Sequence, residues 1–84
     1  MGNYTQALSQ YNTILQNDPQ NTQAWNNKCM ALEKLIMYDE AIRCFNRAIE
    51  LDPNDHIVWY NKGNILARLM RYDEALGCYN TQFS

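Results

Sequence analysis

The chain has 84 residues and a formal net charge of −2, which is the size of one small domain. Acidic and basic residues are interspersed without a basic run, so neither nucleic acid nor an anionic membrane is an expected partner. No apolar run approaches the roughly 18 residues of a membrane-spanning helix, and no signal-peptide pattern opens the sequence.

Apolar residues recur at helical spacing along the sequence. Trp25, Cys29 and Leu32 lie at i, i+4 and i+7, which places them on one side of a helix. Pro19 and Pro53 interrupt this pattern, because proline cannot continue the helical hydrogen bonds. We therefore predict five helices, in chain order Asn3–Asn17, Thr22–Leu35, Tyr38–Leu51, His56–Leu69 and Tyr72–Gln82.

The sequence repeats itself with a period of 34 residues. The tetrapeptide Tyr-Asp-Glu-Ala occurs at residues 38–41 and again at 72–75, and Trp25 is followed one period later by Trp59. A fixed period in this range indicates stacked repeats, each of which buries its apolar face only against its neighbours.

The residues at these positions resemble the tetratricopeptide repeat family. The matching series is Trp25, Leu32, Tyr38, Ala41, Phe45, Ala48 and Pro53, then Trp59, Gly63, Leu66, Tyr72, Ala75 and Tyr79. The resemblance implies an all-α fold of helical hairpins stacked as a right-handed α-solenoid. Within this single domain, residues 3–21 correspond to the second helix of a partial repeat, 22–55 to a full repeat and 56–84 to a truncated repeat. The chain thus looks like a fragment of about two and a half repeats.

The turns inside the hairpins depart from the family pattern. That turn often carries a glycine and then a polar N-cap, whereas Ile36-Met37 and Met70-Arg71 stand at the matching positions. Each missing feature costs about 1 kcal/mol if the usual turn forms. Two alternatives stay open: the turn forms without glycine, or it straightens and the hairpin swaps between chains.

The three cysteines are predicted to be free thiols. Cys44 and Cys78 stand one period apart, which indicates inheritance with the repeat rather than a disulfide framework. With Cys29 and His56 they lack the spacing of a metal site. Free thiols are typical of a reducing compartment, so we expect a cytoplasmic location.

No catalytic motif or cofactor-binding motif is present, and we predict that the protein is not an enzyme. The carboxylate pairs at 39–40 and 73–74 fall in the first turn of a helix, where negative charge favours the helix dipole. Glu40–Arg43 and Arg47–Glu50 have the i, i+3 spacing of ordinary surface ion pairs.

In the family, the first helix of each repeat lines a concave groove that binds a partner segment. Carried over by position, the groove residues are Gln23, Asn26, Asn27, Met30, Lys34, Ile57, Tyr60, Asn61, Asn64 and Arg68. Asn27 and Asn61 each follow a tryptophan by two residues, and an amide can hold a partner's backbone as donor and acceptor. They are equally compatible with consensus polar residues on a solvated face. Members that clamp a carboxylate need lysines where this chain has other residues, so that subclass is not expected.

Two functions follow. The first is a protein-interaction scaffold that docks a partner peptide or protein segment in the groove. The alternative is a self-assembling element, a homo-oligomer formed through exposed terminal helices, stacked end to end, or through swapped hairpins, with no separate ligand.

Overall fold

The structure is a computed structural model that describes residues 3–81. It contains five α-helices: α1 (Tyr4–Asn17), α2 (Thr22–Lys34), α3 (Tyr38–Leu51), α4 (His56–Arg68) and α5 (Tyr72–Thr81). The predicted all-α fold and all five helices are confirmed within the described residues, with boundaries that differ by at most one residue; Gln82 lies outside them. Over this range, no helix has both the length and the apolar character needed to cross a membrane.

Helices that follow one another in the chain pack against one another. The most extensive contacts are within the α2–α3 and α4–α5 hairpins. On the two sides of the first hairpin, α1 packs on α2 and α4 packs on α3. The core between them contains the fully buried Phe45, Leu32 and Ile65. Ala41 and Ala48, at 0% and 2% exposure, are buried in the same core.

Each repeat begins with the same local arrangement. The side chains of Asn21 and Asp55 cap α2 and α4 by accepting backbone N–H bonds from Ala24 (2.9 Å) and Ile57 (3.1 Å). One helical turn later, the indole Nε1 of Trp25 donates to the Pro19 carbonyl oxygen at 2.7 Å, and Trp59 repeats this bond. The 34-residue period therefore reproduces hydrogen bonds as well as apolar contacts.

Both hairpin turns close in the compact form. Ile36 and Met70 adopt positive φ angles of 59° and 62°, the left-handed conformation that usually requires glycine. At the first turn, the Met37 N–H bonds to the Leu32 carbonyl at 3.0 Å and the Ile36 N–H bonds to the Glu33 carbonyl at 3.0 Å. This is the Schellman pattern, and it recurs after α4. Met37 provides no side-chain cap for α3. The turns therefore form despite the loss of stability that the missing glycine and the missing cap predict.

Replacing Ile36 with glycine is expected to stabilise the protein by about 1 kcal/mol, because a non-glycine residue in the left-handed region costs about 1–2 kcal/mol. Little burial is lost, since Ile36 is 70% exposed. Chemical denaturation measures the change. Ile36→Ala is the control, because it removes the side chain but keeps the Cβ and should leave stability within about 0.5 kcal/mol. Equal stability of the two variants would contradict backbone strain at this turn.

The prediction of three free thiols is wrong for two of them. Cys29 and Cys44 are paired as a disulfide that joins α2 to α3, with their Cα atoms 5.4 Å apart. Cys29 occupies the position that Gly63 holds in the next repeat, where a Cβ would lie 2.6 Å from the Cε1 of Tyr79 on the partner helix. Cys78 remains a buried free thiol, and this burial raises its pKa.

Candidate partner-binding site

The ten groove residues predicted from the sequence lie on one side of α2 and one side of α4. Because about 3.6 residues make one helical turn, Asn27, Met30 and Lys34 lie on the side of α2 opposite to Trp25 and Leu32. We call this surface, formed by the ten predicted residues, the inner face.

The inner face borders a cleft between α1 and α2. Asn27, Met30 and Lys34 form one wall of this cleft, which has a volume of about 360 Å³, and Tyr4 and Tyr11 stand on the other. Gln23 and Asn27 also border a smaller cleft of about 130 Å³ beside Tyr11. The two tyrosines of α1 are not among the ten predicted residues. The 34-residue period could have drawn attention to Tyr4 and Tyr11, because they match Tyr38 and Phe45 one repeat later.

Asn26 and Asn64 have bonding partners inside the protein. The Asn26 Nδ2 donates to the Asp55 Oδ2 at 3.2 Å, which links α2 to the N-terminal cap of α4. The hydroxyl of Tyr79 donates to the Asn64 Oδ1 at 2.6 Å. The Asn26 Oδ1 is buried and accepts no hydrogen bond from the described residues. Asn26 therefore links α2 to the start of the next repeat, and its buried amide oxygen is not accessible to a partner protein.

Asn27 and Asn61 differ from these two residues. Both are half-buried, and neither side-chain amide forms a hydrogen bond with any residue in the 3–81 range. They occupy the same position in successive repeats. Both side-chain amides therefore keep all of their donors and acceptors available to a ligand or to water.

Exposed apolar side chains surround these amides. Ile57 is 69% exposed, Tyr60 is 50% exposed and Met30 is 46% exposed. The ring of Tyr60 lies 5.9 Å from that of Tyr79, in a tilted arrangement. Tyrosine and methionine are among the residue types enriched at protein interfaces.

Two cations complete the inner face, one at the end of each helix. Arg68 donates from Nη1 to the Tyr38 hydroxyl at 3.3 Å and lies 3.7 Å from the Glu33 carboxylate. The Tyr38 hydrogen bond and, secondarily, the nearby Glu33 charge raise the pKa of Arg68 further above its usual value. Lys34, one period earlier, forms no ion pair with the residues that the structure describes.

Comparison with known proteins identifies one family. Tetratricopeptide repeat models match residues 22–55 and residues 44–77. No curated protein matches the sequence significantly.

Solved structures provide similar folds. MamA of MSR-1 is 25% identical with a TM-score of 0.89, and the match covers 94% of this chain and 45% of that chain. The TPR2B domain of yeast Sti1, in complex with pHsp70, is 28% identical with a TM-score of 0.89, over 94% of this chain and 63% of that one. The second repeat domain of Spaghetti (RPAP3), bound to the HSP90 peptide SRMEEVD, is 27% identical with a TM-score of 0.91, over 98% and 76%. The chain therefore spans less than half of MamA.

Proposed function

Because the chain belongs to the tetratricopeptide repeat family, we propose that it is a protein-interaction scaffold whose inner face docks a segment of a partner protein. Two of its structural neighbours, from Sti1 and RPAP3, are solved with such segments bound. We assign the same general role to this chain, with the binding surface on α2 and α4.

The strongest support for the proposal is that the side-chain amides of Asn27 and Asn61 form no hydrogen bond with the described residues. The amide atoms of both half-buried residues keep contact with solvent, so a ligand can replace water as their hydrogen-bond partner. Because the two amides are one repeat apart, an extended peptide running across α2 and α4 can bond to both through its backbone. Met30, Ile57 and Tyr60 then supply apolar contacts to its side chains.

The partner segment is not expected to depend on a terminal carboxylate. Clamp-type members of the family hold a carboxylate with lysines, and Gln23, Asn26, Ile57 and Tyr60 stand at those positions here. None of these four residues carries a positive charge, so a carboxylate held by them would gain no charge-assisted hydrogen bond. The peptide SRMEEVD, which RPAP3 binds, should therefore show no saturable binding to this chain below about 1 mM.

The test uses a peptide selected against the immobilised protein from a random library displayed on phage. Calorimetry should show that Asn27→Ala combined with Asn61→Ala weakens binding by about 1 kcal/mol per lost hydrogen bond. Asn46→Ala on the exposed side of α3 is the matched control and should leave the affinity unchanged. Unchanged affinity in the double variant would place the docking surface elsewhere.

Self-association is the second candidate, and exposed residues of α5 favour it. Tyr72 and Leu76 are 60% and 56% exposed on this helix, and exposed apolar surface commonly serves as an interface. Both turns are closed in the structure, so end-to-end stacking is the version that needs no rearrangement. Light scattering over a range of protein concentrations distinguishes a stacked assembly from a monomer.

A further inference from the structure

A second cleft lies on the opposite side of α2 from the inner face. It has a volume of about 380 Å³, and we call it the outer cleft. Its lining includes Trp25, Lys28 and Leu32 from α2 and Glu40, Arg43 and Arg47 from α3. None of these residues belongs to the inner face, so occupation of one surface leaves the other open.

The outer cleft is positively charged although the chain as a whole carries a net charge of −2. Three of its lining residues are cations, and Glu40 is the one carboxylate among them. Arg47 already pairs with Glu50 at 2.9 Å. The predicted Glu40–Arg43 pair does not form, and Arg43 has no ion-pair partner in the described part of the chain. An exposed guanidinium without a carboxylate is thus available to an anionic ligand.

The floor of the cleft is apolar. Leu32 and Cys44 are 2% and 4% exposed at its base, and the half-buried indole of Trp25 forms one side. The Lys28 Nζ lies 5.1 Å from the centroid of the Trp25 ring, which holds a second cation at the edge of the floor. A ligand that fills this cleft must therefore combine an apolar group with negative charge.

The second repeat provides an internal comparison. Its equivalent of the Lys28–Trp25 contact is present, with the Lys62 Nζ 5.8 Å from the Trp59 ring. However, Gly77 and Thr81 stand where the first repeat has Arg43 and Arg47. The lysine–tryptophan contact is therefore common to both repeats, whereas the two arginines are specific to the outer cleft.

We propose that the outer cleft is a second docking surface, which binds an acidic peptide segment that carries a large apolar side chain next to its carboxylates. The apolar side chain packs on Trp25 and Leu32. A neighbouring carboxylate accepts hydrogen bonds from the Arg43 guanidinium and interacts with Lys28. The apolar floor favours a peptide over a nucleic acid, whose phosphates would use the cations alone.

The probe is a fluorescein-labelled peptide of sequence Glu-Asp-Glu-Phe-Leu-Glu-Asp-Glu, and binding is measured by fluorescence anisotropy. Arg43→Glu should weaken binding at least ~10-fold, because it replaces attraction with repulsion at the centre of the contact. Arg43→Lys keeps the charge and should retain most of the affinity. Lys34→Glu makes the same change of charge on the inner face and should change the affinity less than about 3-fold.

Two further peptides identify what is recognised. The version with Gln and Asn in place of Glu and Asp should not bind, and neither should the version with Ala in place of Phe and Leu. The proposal is overturned if the acidic peptide shows no saturable binding below about 1 mM, or if Arg43→Glu binds it as well as the unmodified protein does. Tighter binding of a short single-stranded DNA than of the peptide also overturns it. Loss of binding in Asn27→Ala with Asn61→Ala would assign the peptide to the inner face instead.

Discussion

Reduction of the Cys29–Cys44 disulfide is expected to lower the free energy of unfolding by about 3 kcal/mol, the largest single effect that we predict. The bond closes a loop with a sequence separation of 15 residues, and a loop of this length loses about that much conformational freedom in the unfolded chain. Such a loss is a large part of the stability of a small domain, which is typically about 5–15 kcal/mol. Guanidinium denaturation with and without a thiol reductant measures the difference.

Cysteine alkylation and a double variant serve as controls for this experiment. Mass spectrometry after alkylation of the unfolded protein should find one modified cysteine before reduction and three after it. In Cys29→Ala with Cys44→Ala, the reductant should have no effect. Reduction allows one new contact, because the Cys44 thiol can donate a hydrogen bond to the Trp25 carbonyl oxygen, which lies 3.4 Å from its sulfur. Equal stability of the oxidised and reduced protein would contradict a stabilising role for the disulfide.

Gly63→Ala is expected to destabilise the protein by about 2 kcal/mol, although alanine ordinarily stabilises a helix relative to glycine by about 1 kcal/mol. A Cβ at residue 63 would lie 2.6 Å from the Cε1 of Tyr79. The ring cannot move aside at low cost, because its hydroxyl donates to Asn64 and its face lies near Tyr60. Thermal or chemical denaturation, followed by circular dichroism, measures this loss.

Gly77→Ala is the matched control for Gly63→Ala. Gly77 also lies inside a helix, but a Cβ built there meets no atom within 4 Å. This variant should therefore stabilise the protein by about 1 kcal/mol. The opposite signs of the two changes test whether α4 and α5 pack as closely as the structure shows. A stabilising effect of Gly63→Ala would contradict that packing.

The helices were predictable from the sequence because their signals are local. The spacing of Trp25, Cys29 and Leu32, the prolines and the capping residues act within one or two helical turns. The 34-residue period then indicated how the helices stack. The conformation at Ile36 was not predictable in the same way, because an isoleucine gives no local signal for a positive φ. The packing of the hairpin imposes that conformation.

The disulfide was not predictable from the match between repeats, because that match does not show which cysteines face each other. Cys44 and Cys78 match across repeats, which indicates that the cysteine was inherited with the repeat. The informative alignment was that of Cys29 with Gly63, because this position faces the partner helix of the same hairpin at close range. A cysteine at each of the two facing positions of one hairpin indicates the bond that the structure contains.

The inner face was only partly predictable. Helical spacing places Asn26, Asn27, Asn61 and Asn64 on one side of their helices, but it does not show which amides already have partners. Asn26 bonds to Asp55, 29 residues away, and Asn64 bonds to Tyr79, 15 residues away. Such contacts between helices depend on side-chain directions that a pattern of residue types does not contain.

Chemical-shift mapping tests the central claim, that the inner face docks a partner segment, most directly. The amide signals of ¹⁵N-labelled protein are followed during titration with the phage-selected peptide. We expect the largest changes at the side-chain amides of Asn27 and Asn61 and at the backbone of Met30 and Tyr60. Changes confined to α3 and α5, with the signals of Asn27 and Asn61 unmoved at saturation, would contradict the claim.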